Sequence, residues 1–194
     1  MTKINVEEIF HQSGAILKGH FLLTSGLHSP IYWEKFRVLQ YPNYTEQLCR
    51  LIADHFRSQE IQVVAGPTTG GIILAFETAR QLGVRGIFAE KESTGERVFR
   101  REFGINPGER VLIVDDVLTT GSSIREVMAA VARQGGTVIG IGVLVDRSQQ
   151  EVEFGVPLFS CHRSITITYS PQDCPLCAAK IPLVKPGSSQ KSPS

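Results

Sequence analysis

An α/β fold, with a central and mostly parallel sheet flanked by helices, is what this chain of 194 residues predicts. Three observations carry that expectation. Short strands that are apolar along most of their length recur at 61–65, 84–89, 110–114 and 137–145, the pattern of a sheet covered on both faces. Amphipathic helical segments alternate with them. Two of the strands run directly into loops rich in Gly, Thr and Ser, where open α/β sheets place their ligands.

Each element follows from its local pattern. Residues 5–17 carry Val6, Ile9, Phe10, Ile16 and Leu17 and predict a short amphipathic helix broken near Gly14. From 20 to 38, aromatic and β-branched residues punctuated by Ser25, Gly26 and Pro30 predict two short strands joined by a turn. Pro42 opens a helix that runs to Phe56, with Leu48, Leu51, Ile52 and Phe56 spaced for one buried face. The strand at 61–65 leads through Gly66-Pro67-Thr68-Thr69-Gly70-Gly71 into a helix over 72–82, and the next strand is 84–89. Residues 90–106 are polar and rich in both charges, which predicts a protruding loop or hairpin turning at Gly95. Pro107-Gly108 then turns the chain into the strand at 110–114, and a helix over 122–134 ends at Gly135-Gly136 before the strand at 137–145. After Gln149 the alternation stops, leaving short extended pieces near Leu158 and over 165–169.

This length suits one domain, expected over 1–185, with a core at about 41–150 and a small hood lobe combining about 1–40 with 151–185. The polar stretch 186–194 reads as a disordered tail. A hydrophobic content of 42% with 20% charged residues is that of a globular protein, and a formal net charge of +1 gives no electrostatic case for nucleic acid. No apolar run reaches membrane-spanning length and MTKINVEEIF lacks a signal-peptide core, so the expectation is a cytoplasmic protein without a membrane partner. Cys49, Cys161, Cys174 and Cys177 are too sparse for a disulfide framework and are expected as reduced thiols.

The most informative stretch is VLIVDDVLTTGSS at 111–123, an apolar strand that runs into two acids and a hydroxyl-rich turn. A helix beginning after Thr119, Thr120, Gly121 and Ser122 presents unpaired N–H groups and a positive dipole end, which suits a terminal phosphate. Asp115 and Asp116 repel phosphate, so they accept hydrogen bonds from neutral hydroxyls or engage a hydrated metal beside the same ligand. A sugar phosphate meets both demands. The plainer alternative makes Asp115 a helix-proximal cap and has Ser122 and Ser123 merely terminate a turn. No Walker A lysine follows a glycine-rich turn anywhere, and no Gly-x-Gly-x-x-Gly is present.

On this stretch the chain resembles the phosphoribosyl-pyrophosphate (PRPP) signature of type I phosphoribosyltransferases, and specifically the orotate branch. Further support comes from GHFLLTSGLHSPIY at 19–32, GPTTGGIILAFETAR at 66–80, FAEKE at 88–92, Val145-Asp146-Arg147 and the late Cys-Pro-Leu-Cys. The resemblance implies the type I phosphoribosyltransferase fold. It also implies Mg2+-dependent transfer of the phosphoribosyl group from PRPP to orotate, giving orotidine 5′-monophosphate and pyrophosphate. Asp115 and Asp116 would then hold the ribose, and Val117, Leu118, Thr119, Thr120, Gly121, Ser122 and Ser123 would close around the 5-phosphate. Thr68, Thr69, Gly70, Gly71 and Lys91 would meet the pyrophosphate, and Arg147 with Thr119 the orotate. Lys91, Asp115 and Asp116 form the expected catalytic set, in a homodimer whose subunits share the site. No protein metal cluster is required, because Mg2+ is held largely by the substrate.

The chain departs from many orotate enzymes over 90–101, where a second lysine and a histidine have no counterpart. Arg97, Arg100 or Arg101 is the expected source of the missing cation. Transfer to a different base and a non-catalytic PRPP-binding regulator are the competing functions. Cys174-Pro-Leu-Cys177 offers half a zinc knuckle at most, with Cys161-His162 as the other candidates near in sequence, and packed or exposed thiols are the preferred reading. His28 is expected at the surface, although the resemblance places it near the base.

Overall fold

The structure, a computed structural model, describes residues 4–23, 25–34, 36–164 and 167–186. In chain order the elements are α1 (Val6–Gln12), β1 (Ile16–Leu22), β2 (His28–Trp33), α2 (Phe36–Leu39), α3 (Pro42–Phe56), β3 (Val63–Pro67) and α4 (Gly70–Leu82). They continue as β4 (Arg85–Lys91), β5 (Arg97–Phe99), β6 (Arg110–Leu118), α5 (Ser122–Arg133), β7 (Thr137–Asp146), β8 (Leu158–Arg163) and α6 (Pro175–Ala178). One sheet has the order β5-β4-β3-β6-β7-β8, parallel except for the edge strand β5, and β1 pairs with β2 in a separate antiparallel ribbon.

Period-two alternation along the central strands builds two cores. Val64, Leu112 and Val114 face α3 and α4, packing on Leu48, Ile52, Phe56 and Leu74. Their neighbours Val63, Ala65, Val111 and Ile113 face α5, packing on Ile124, Val127 and Val131. Burying both faces is why these strands read as continuous apolar runs rather than as alternating ones.

Several boundaries differ from the sequence expectation. Ile16 and Leu17 belong to β1, not to the first helix; α1 ends at Gln12, and the two residues pair with Trp33 and Tyr32 across the ribbon. β3 takes in Gly66 and Pro67, and α4 starts at Gly70. β6 continues through both acids to Leu118, because its ladder with β7 persists to the Leu118–Asp146 pair. The charged segment after β4 does form a hairpin, with Lys91 opposite Arg97.

The terminal segments contribute both to the main sheet and its core and to a separate cluster. β8 extends the main sheet beside β7, although it lies beyond residue 150. Ile9, Phe10, Trp33, Val38 and Leu39 join the core cluster of α3 and α4, although they lie before residue 41. What stands apart is the far end of the β1–β2 ribbon, which meets the C-terminal segment through bridges from His28 to Tyr169 and from Phe21 to Val184. The tail expected from 186 falls, apart from Pro186, outside the described residues.

Candidate active site

Three adjacent parallel strands, β3, β6 and β7, deliver their C-terminal ends to one edge of the sheet. This is where α/β sheets hold ligands, because the following helices turn their N-termini toward the same edge.

β6 brings Asp115 and Asp116 there, 6% and 3% exposed. Consecutive strand residues point to opposite faces, so the two carboxylates diverge. Asp115 turns toward α5: its Oδ2 accepts from Ser123 Oγ at 2.7 Å, and its Oδ1 accepts from the Asp116 N–H at 2.8 Å. The plainer sequence reading, in which Asp115 caps the helix, is not met, since α5 starts without a side-chain cap; Asp115 instead braces the loop through the Ser123 hydroxyl, while each oxygen keeps acceptor capacity. Asp116 turns toward α4. A Cβ placed on Gly70 would lie 2.0 Å from Asp116 Oδ2, so only glycine allows that carboxylate to rest on the start of α4.

Between the acids and α5 lies the turn at Thr119, Thr120 and Gly121. Gly121 sits at φ +78° as the residue before the helix, and α5 begins without a side-chain cap. The first N–H groups of α5 thus have no intrahelical acceptor, the condition for anion binding. Phe154, from the connection between β7 and β8, covers the back of the turn, since a Cβ on Gly121 would meet its ring at 2.7 Å. An open cleft of about 630 Å³ is lined by Asp146, Val152, Phe154, Ser160 and Arg163 among others. It lies beside this turn, and none of residues 115–123 lines it.

The loop after β3 closes the other side. Thr69 precedes α4, which also lacks a side-chain cap, and the Thr68–Thr69 peptide is cis. Thr68 Oγ1 accepts from Arg97 Nη1 at 3.2 Å, and Arg97 Nη1 also reaches the Ala89 carbonyl at 3.3 Å. Arg97 Nε stands 3.1 Å from Glu126 Oε2 on α5. Lys91 Nζ is 3.6 Å from the other oxygen of Glu126, with its side chain 54% exposed. Glu126 thus ties the hairpin to α5, a role with no local sequence signal because its partners lie about thirty residues away.

Arg97, expected among the candidates for the missing cation, is buried and supports the Thr68 loop from behind. Arg100 and Arg101 are exposed on the hairpin and pair with Glu92 at 2.6 Å and Glu90 at 2.7 Å. Arg147 follows β7, with its N–H donating to the Leu118 carbonyl at 2.8 Å. Burial presses the Arg147 guanidinium below the usual arginine range, partly offset by Tyr32 of β2, and it stays charged. Asp146 is engaged by Ser148 Oγ at 2.6 Å and lies 3.8 Å from Arg163 Nε.

Other expectations are corrected. His28 is buried, not at the surface, with its Nδ1 2.9 Å from His20 Nε2. Cys161 and His162 do not join Cys174 and Cys177: the Cys161 thiol donates to the Leu48 carbonyl at 3.5 Å, and the His162 ring packs on Phe10 and Trp33.

A doubly covered parallel sheet with an acid pair, a cradling turn and an uncapped helix at one strand end defines a phosphoribosyl-binding class. The phosphoribosyl transferase domain family matches residues 37–176. The orotate phosphoribosyltransferase of Pelotomaculum thermopropionicum is 54% identical over 188 residues, covering 97% of this chain and 98% of its own. That of Caldanaerobacter subterraneus subsp. tengcongensis is 52% identical with the same coverage. The crystal structure of orotate phosphoribosyltransferase from Aeropyrum pernix superposes with a TM-score of 0.68 at 28% identity, covering 82% of this chain and 93% of that one. The chain belongs to the phosphoribosyltransferase family, in its orotate branch.

Proposed function

We propose that the protein transfers the phosphoribosyl group of PRPP to orotate, releasing pyrophosphate and orotidine 5′-monophosphate. The observation that carries this reading is the meeting of Asp116, the start of α4 and the turn before α5 at one strand edge, in a chain whose near-full-length relatives are orotate enzymes. In this reading the α5 N–H groups, with Val117 to Ser123, take the 5-phosphate. Asp115 and Asp116 accept from the ribose hydroxyls and stabilise the positive charge that grows on the ring as the pyrophosphate bond breaks. Thr68, Thr69, Gly70 and Gly71 receive the leaving group, toward which Lys91 swings from Glu126. Arg147 pairs with the orotate carboxylate through two parallel hydrogen bonds, with Thr119 beside it.

The donor set suits Mg2+: carboxylates stand next to a phosphate cradle, and this ion takes one or two carboxylates and completes its shell with substrate oxygens and water. Asp115 and Asp116 are the residues that would face it, and its chemistry is neutralisation of the pyrophosphate oxygens.

A homodimer is part of the proposal. Ile73 and Phe76 share one face of α4 at 41% and 69% exposure, an apolar surface of the kind a second copy covers. Four free cysteines, and no described helix long and apolar enough to cross a membrane, support a cytoplasmic site of action.

Ultraviolet absorbance should report orotate consumption only when PRPP and Mg2+ are both present. Asp116→Asn should lower kcat/KM by about 10- to 100-fold, the worth of a hydrogen bond to a charged group in the transition state. Consumption that persists without PRPP would refute the assignment. Mixing Lys91→Ala with Asp116→Asn should give more activity than either variant alone if Lys91 acts in the site of the partner subunit.

A further inference from the structure

We propose that His20, His28, Cys174 and Cys177 bind a zinc ion that staples the N-terminal ribbon to the C-terminal segment. The four ligand atoms lie within 4.8 Å of one another, although the residues come from β1, from β2 and from the two ends of a Cys-x-x-Cys around α6. Cys177 Sγ is 3.3 Å from His28 Nδ1, and His20 Nε2 is 3.5 Å from Cys174 Sγ and 3.7 Å from Cys177 Sγ. A tetrahedral shell with Zn–N of about 2.0–2.1 Å and Zn–S of about 2.3 Å has edges of roughly 3.3–3.8 Å. Three contacts therefore already have the length of ligand edges, and the ring nitrogens, 2.9 Å apart, reach it with a small rotation.

The surroundings complete a metal site. His20 Nδ1 lies 2.8 Å from the Ile181 carbonyl. A carbonyl can only accept, so Nδ1 carries the hydrogen and Nε2 turns its lone pair toward the other three ligands. That is the outer hydrogen bond that fixes the tautomer of metal-binding histidines. A two-nitrogen, two-sulfur tetrahedron selects zinc over the oxygen-seeking Mg2+. On binding, each thiol gives its proton to solvent, and two thiolates cancel the charge of Zn2+. The resulting neutral centre suits a site where His20, His28 and Cys174 are 2%, 5% and 4% exposed.

Apolar packing at this place is thin among the described residues. Around the cluster, Ile167, Ile181, Leu183 and Val184 are 41–59% exposed, so little apolar area is buried. A small lobe with so thin a core is where structural metals replace packing. A closed four-ligand shell leaves no open coordination position, so the role is structural and independent of the transfer reaction.

Elemental analysis of the untagged protein, purified in reductant without chelator, should find about one zinc per chain. Cys177→Ser and His20→Ala should reduce it to near zero. Replacement by Co2+ should give tetrahedral d–d bands with thiolate-to-cobalt charge transfer, and Cys174→Ser should lower the charge-transfer intensity per bound cobalt by about half. Wild-type protein that takes up no metal from a zinc-buffered solution would overturn the proposal. So would a Cys174–Cys177 disulfide in protein prepared under reductant, or an octahedral cobalt spectrum.

Discussion

At the middle of the sheet Leu112 and Ile113 have no exposure and pack in apolar clusters with residues of α3, α4 and α5. At the far end of the β1–β2 ribbon the buried side chains include His20, His28, Ser29 and Cys174. Apolar burial in the first region is non-directional and grows with the area covered, so it serves a sheet with helices on both faces. The second region has one two-stranded ribbon, a four-residue helix and irregular chain, too little surface for that device. Directional contacts take its place: Ser29 Oγ donates to the carbonyls of Ile31 and Ile167, and the His/Cys cluster links three segments distant in sequence.

The contrast predicts separable behaviour. The largest effect belongs to Phe56→Ala, which empties a fully buried site between α3 and the sheet and should cost about 3–5 kcal/mol. Urea unfolding would measure the loss, and the zinc content should stay at its wild-type value. Zinc lost in step with stability would mean that the two regions form one cooperative unit.

An intermediate effect is expected at the catalytic edge. Gly121→Ala places a methyl against Phe154 at a backbone φ of +78° and should cost about 1–3 kcal/mol. Because the strain falls on the turn proposed to hold the 5-phosphate, KM for PRPP should rise more than KM for orotate. Equal changes in both would show that the turn does not discriminate between the substrates.

The smallest effect sharpens the comparison at the surface. Glu77 on α4 is held below the usual carboxylate range, chiefly by its hydrogen bond with Arg80, with the ion pair at 2.7 Å. A depressed folded pKa gives stability that is full above the unfolded value and is lost as pH falls through the folded one. Glu77→Gln should remove a few tenths of a kcal/mol at neutral pH and flatten the acid limb of the stability curve. Thermal melts from pH 7 downward would detect it.

Legibility followed the range of the interactions. The helix Pro42–Phe56 was readable to the residue, because proline at the start and a periodic apolar face are both local. The acid pair and the turn at Gly121 were readable because a strand, a turn and a helix start occupy one short stretch. The divergence of Asp115 and Asp116 was not, since it depends on β6 remaining in register with β7 beyond Val114. Nor was the burial of Arg97, whose partners Glu126 and Thr68 come from other elements.

By itself the sequence determined the α/β class and the strand-end placement of the acid pair and its hydroxyl-rich turn, since each rests on periodicity or a contiguous motif, and the resemblance to a family supplied the proposed ligand. Only the tertiary structure decided that β8 completes the main sheet, that the hairpin arginines are already engaged by carboxylates, and that His20 and His28 stand against Cys174 and Cys177. The physical reason is distance along the chain. About 150 residues separate the two histidines from the two cysteines, and no local pattern records which distant segments will share a buried corner.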